Sequence, residues 1–250
     1  MRKALILMLL LTLAAPSVQA EQYYPFKHGY YGFRDLLRGD NLTLMAVGTG
    51  LTLVSLGFDD QIYNYFDRKS YSIGTVPRES AALFKREMLP SLIALGTLTY
   101  GLLSDREREI GSGQAQFEAI GYYVVLVASM KFLTFRNGPG GDSLRHAFPS
   151  GQVGFVTAGH LTRMYGWAYG LPVLAITSAG FVDYTFRGVH WMSDMIFGSV
   201  LGFAMGAAFA DHHISGEADA VEMTSIMAYP ILSTSADSGR SYGLGVQVRY

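Results

Sequence analysis

Three short polar clusters punctuate an otherwise apolar chain, and each holds residue types that could do chemistry. The first is Lys131-Phe-Leu-Thr-Phe-Arg136-Asn-Gly138-Pro139, the second Phe148-Pro149-Ser150-Gly151-Gln152, and the third Arg187-Gly-Val-His190-Trp-Met-Ser193-Asp194. Ser150 and Gly151 form a turn that opens a helix, and backbone amides at a helix start can hold an oxyanion. His190 and Asp194 are four residues apart, one helical turn. A carboxylate bonded to one ring nitrogen fixes the imidazole tautomer and makes the other nitrogen a better nucleophile. The plain alternative for such a pair is a structural hydrogen bond. Lys131 ends the apolar run YYVVLVASMKF. A lysine there needs a phosphate or carboxylate partner, or it snorkels to an interface.

In this order and helical setting, the clusters resemble the type 2 phosphatidic acid phosphatase and vanadium haloperoxidase superfamily, whose motifs read K-x6-R-P, P-S-G-H and S-R-x5-H-x3-D. The resemblance covers about Ala115 to Gly206. It implies that His190 attacks phosphorus to form a phosphohistidine, that Asp194 supports it, and that Lys131, Ser150, Gly151 and Gln152 surround the phosphate. The chain also departs from the motifs. The first-motif arginine falls on Gly138, the leaving-group histidine on Gln152, and the Ser-Arg pair on Asp183-Tyr184. Losing one oxyanion donor costs about 10²–10³ in rate. Losing a general acid costs about 10²–10⁴. Arg136, Arg145, His146 and Arg187 are the candidates to stand in for the missing groups. His160 lies eight residues beyond Gln152, about 12 Å along a helix, and is expected to pack rather than to act. His212-His213 lacks the carboxylate support of a metal site, so no metal and no cofactor are expected.

The elements that must position these residues follow from the apolar pattern. Six apolar segments, roughly Asn41–Gly57, Met88–Leu103, Ala115–Phe135, Gly151–Tyr165, Trp167–Val182 and Asp194–Ala210, predict six helices. FDDQIYNYFDRKS, DREREIGSG and RNGPGGDSLRH read as the connections. The fold class expected is all-α, a six-helix bundle of the acid phosphatase/haloperoxidase type over residues 21–213. Residues 214–250 form a tail. There TSIMAYPIL and the period-two run SYGLGVQVRY flank the turn-like STSADSGR, which predicts a short C-terminal β-hairpin.

Arg2 and Lys3, the apolar run Ala4 to Leu13 and Val18-Gln19-Ala20 read as a signal peptide over residues 1–20. Export to a bacterial envelope follows, the periplasmic side preferred. Half of the residues are hydrophobic and 16% are charged, so membrane association is expected. Yet a 17-residue run covers roughly 26 Å, short of a ~30 Å hydrocarbon core. A cleaved signal with six true spans would turn the pocket towards the cytoplasm, so some segments are expected not to cross. The net charge of -1 gives no electrostatic case for nucleic acid, and the absence of cysteine excludes disulfides.

Two functions stay open. One is a lipid phosphatase-like envelope protein, impaired or non-catalytic, that holds a phosphorylated lipid or isoprenoid, or a protein partner, in the old phosphate cradle. The other is an active phosphatase on lipid phosphates or diphosphates through His190. A haloperoxidase is disfavoured, because vanadate needs the same missing arginines.

Overall fold

The computed structural model describes residues 25–70, 88–140, 146–186, 188–215, 225–235 and 239–249. The signal-peptide residues, Arg145, Arg187 and the Asp183 side chain lie outside the described residues. The chain divides into two compact units, Met1–Ile214 and Ser215–Tyr250.

The first unit is all-helical. Its described helices are α1 (Pro25–Leu36), α2 (Gly39–Leu56), α3 (Asp59–Ser70), α4 (Met88–Ser104), α5 (Glu107–Thr134), α6 (Gly154–Tyr165), α7 (Trp167–Phe186) and α8 (Met192–Ser215). Six of the eight coincide with the apolar segments. The other two are amphipathic and carry no long apolar run. FDDQIYNYFDRKS, expected as a connection, is α3. Asp59 and Asp60 stand in its first turn, where the helix dipole favours them. Ile62, Tyr63 and Phe66 turn inward at helical spacing while Gln61, Asn64 and Tyr65 face out. DREREIGSG is corrected likewise: α5 already begins at Glu107, with Glu107 and Glu109 in its first turn. α5 ends where Phe135 takes the left-handed conformation and its N–H returns to the carbonyl of Lys131.

α8 carries much of the core. Leu201, Ala204, Met205, Ala208 and Phe209 pack with Ala119, Tyr123 and Val127 of α5 and with Val156 of α6. Small residues allow the close approach. A Cβ on Gly206 would stand 1.9 Å from the carbonyl oxygen of Val156, one on Gly159 2.0 Å from that of Phe203, and one on Gly198 2.0 Å from that of Ser150. The outer helices instead leave apolar side chains uncovered, among them Leu53 and Val54 of α2, Leu92 and Leu103 of α4, and Val125 and Leu133 of α5. α5 and α8 are long and apolar enough to cross a membrane, and α2 with α3 becomes a third candidate if their 71° bend interrupts one span.

In the second unit, β1 (Ser225–Ser235) and β2 (Gly239–Arg249) pair antiparallel, with Ser225 opposite Arg249 and Ser235 opposite Gly239.

Candidate functional site

Backbone bonds bring the three clusters together. Ala147 N–H donates to the carbonyl of Arg136 at 2.8 Å, and Ser150 N–H to that of Asp194 at 3.0 Å. The Trp191 indole N–H donates to the carbonyl of Asn137 at 2.7 Å. Lys131 Nζ donates to the carbonyls of His146 (2.6 Å) and Ala147 (3.3 Å), so its charge braces the strand of chain leading into the Pro-Ser-Gly turn. The Phe148–Pro149 peptide in that turn is cis. From beneath, the Tyr123 hydroxyl lies 3.0 Å from the carbonyls of both Ser150 and Gly198.

His190 is buried at the mouth of α8, edge-on to Tyr184. Its Nδ1 stands 3.9 Å from Asp194 Oδ2, beyond hydrogen-bond length. Asp194, fully buried, is occupied elsewhere. Its Oδ1 accepts from Arg136 Nη1 at 2.6 Å and its Oδ2 from Trp191 N–H at 3.0 Å. The expected histidine–carboxylate hydrogen bond is therefore absent in this arrangement, because an arginine and a backbone amide hold the carboxylate.

The sequence reads Arg136 as one of several candidates to stand in for a missing cation. It is instead fixed between two carboxylates. Nη2 donates to Asp59 Oδ2 and Nη1 to Asp194 Oδ1, each at 2.6 Å, and Nη1 also to Ser193 Oγ at 2.8 Å. Its guanidinium lies 5.6 Å from the centre of the Trp191 ring. Two carboxylates around one guanidinium leave no surplus positive charge for an anion. His146 is exposed, with Nδ1 3.2 Å from the carbonyl of Lys131.

Gln152 is buried, and its amide N–H₂ points at Met195 Sδ, 3.9 Å away. Among the described residues, its carbonyl oxygen and the Ser150 hydroxyl have no hydrogen-bond partner. At position 138 a Cβ would stand 2.7 Å from the carbonyl oxygen of Val189. An arginine there could not be housed without moving the loop that carries His190. Position 138 thus has no room for a side chain while the loop stays where it is.

Two residues of this cluster escape sequence reading. Asp59 comes from α3, far upstream, and its only signal was an acidic pair at a helix start. Tyr123 was hidden inside an apolar run as one aromatic among several. Elsewhere the bundle holds further buried polar pairs. His160 Nε2 meets Ser112 Oγ at 2.9 Å, and Gln116 donates to Thr157 at 2.9 Å. His160 is packed, as its spacing from Gln152 suggested. Among the described residues no group of three or more His, Cys, Asp or Glu could hold a metal ion.

No family model, no curated protein and no solved structure matches the chain.

Proposed function

We propose that this is a membrane-associated envelope protein related to the type 2 phosphatidic acid phosphatases, and that it binds a phosphorylated lipid with little or no phosphatase activity. On this reading the helical unit is the acid phosphatase/haloperoxidase bundle, the paired strands form a C-terminal hairpin, and the cradle faces the periplasm. The observation that carries the loss of activity is the placement of Arg136. It is the cation nearest the lost arginine in sequence, and two carboxylates consume its charge. Gln152 adds to this, since an amide can donate a hydrogen bond but cannot deliver a proton to a leaving group. The Ser150–Asp194 backbone bond ties the Pro-Ser-Gly turn to the start of α8 and uses the Ser150 N–H, so on this reading the Ser150 hydroxyl, the Gly151 N–H and His190 hold the phosphate.

The test is phosphate release by purified protein from lipid phosphates and lipid diphosphates, beside His190→Ala. Equal rates for the two proteins are expected. A wild-type rate clearly above that of His190→Ala would overturn the non-catalytic reading in favour of an active phosphatase. Gln152→His is expected to raise phosphate release above the wild type where the remaining cradle is intact.

A further inference from the structure

α8 begins immediately after His190, so whatever fixes its first turn fixes His190. With Met192 the first helical residue, Trp191 is the N-cap position, and neither Trp191 nor His190 can cap with a side-chain oxygen. The first N–H groups of a helix have no partner within it and must find one. Asp194 takes one, its Oδ2 accepting the Trp191 N–H at 3.0 Å, the reach-back half of a capping box. Another belongs to Ser193, and its acceptor comes from 134 residues away in sequence: Ser193 N–H donates to Asp59 Oδ1 at 3.0 Å. The other oxygen of Asp59 accepts from Ser193 Oγ and from Arg136 Nη2. Asp59 is 5% exposed and Ser193 fully buried. A carboxylate at a helix N-terminus is also where the dipole favours negative charge.

We infer that Asp59 is a positioning residue of the candidate site: it caps α8 from a different helix and, through Ser193 and Arg136, holds the loop bearing His190 against the Ser150 turn. The assignment explains the arginine as well. Arg136 joins the cap of α8 to Asp194, so α3, the loop after α5 and the start of α8 are tied at one buried point. It also gives α3 a task. From this helix Tyr63 also packs against Gly188 and Trp191, on either side of His190 in sequence. The inference rests on the reading of the His190 loop as the ligand site.

The experiment uses full-length protein in detergent micelles with isotope-labelled histidine. The His190 resonance is identified by its loss in His190→Gln. Two readouts are taken: its position in the free protein, and its response to dihexanoyl phosphatidic acid. Asp59→Ala removes both the cap and the charge, whereas Asp59→Asn keeps an acceptor for the Ser193 N–H. Expected is a displaced and broadened His190 signal in Asp59→Ala, a smaller displacement in Asp59→Asn, and unchanged signals for His28 and His160. Loss of the response to lipid phosphate should follow the same order. Should Asp59→Ala fail to fold, Ser193→Ala, which keeps the backbone cap, is expected to shift His190 by less than Asp59→Asn. A His190 signal identical to wild type in every one of these variants overturns the inference. A wild-type signal that ignores the lipid phosphate sinks the proposed ligand instead, while the free-protein signal still decides the role of Asp59.

Discussion

Arg136, Gly138 and Gln152 each limit what the candidate site can do with an anion. Arg136 is present but neutralised, Gly138 has no room for a side chain, and Gln152 cannot titrate. The buried histidine away from the site makes a separate point at this scale. His160 is fully buried, and burial pushes its imidazole down from 6.5 to about 3. The neutral form is therefore the folded form. Its contribution is complete above pH 6.5 and declines as pH falls from there towards 3, because the unfolded chain takes up the proton first. Thermal unfolding midpoints in detergent should drop as pH is lowered from 7 to 5, and should drop less in His160→Gln. Parallel curves for the two proteins would count against a neutral His160.

At the scale of elements, packing of α8 against α6 and the Ser150 turn depends on glycine. Gly206→Val places side-chain atoms where the Val156 carbonyl already stands, and overpacking of this kind costs about 1–3 kcal/mol or more. Gly121 of α5 has open space around it, so Gly121→Ala should raise stability by roughly 0.5–1 kcal/mol through helix propensity. Melting curves of the two variants should move in opposite directions, and a tolerated Gly206→Val would refute the close-packing account. The legibility of the elements divides along the same lines. Helices apolar on most faces, whether buried or exposed, announce themselves as apolar runs, so α2 and α4 to α8 could be read from the sequence, although the polar first two turns of α5 could not. α1 and α3 bury only one face, and their apolar residues are spaced Ile62, Tyr63, Phe66 rather than run together. Local sequence picks out Ser150–Gln152 and His190–Asp194, which a backbone bond joins, but not the contacts their side chains make. The site was not legible where distant chain segments meet, because no local pattern links Asp59 to Ser193 or Arg136.

At the scale of the whole molecule, charge and apolar surface decide where the protein sits. α5 has 28 residues and α8 has 24, about 42 and 36 Å at 1.5 Å per residue, each enough for a ~30 Å hydrocarbon core. Uncovered leucines, valines and aromatics on α2, α4, α5 and α7 add a surface that lipid chains would cover. Membranes washed with alkaline carbonate should keep the protein, and detergent should release it. Release by carbonate alone would show that no segment crosses.

The Ser150 turn rests on Gly198 with main chain against main chain, and the Tyr123 hydroxyl spans the two carbonyls. A side chain at position 198 would therefore unseat the turn as a whole, and Ser150, Gly151 and Gln152 would move together rather than one by one.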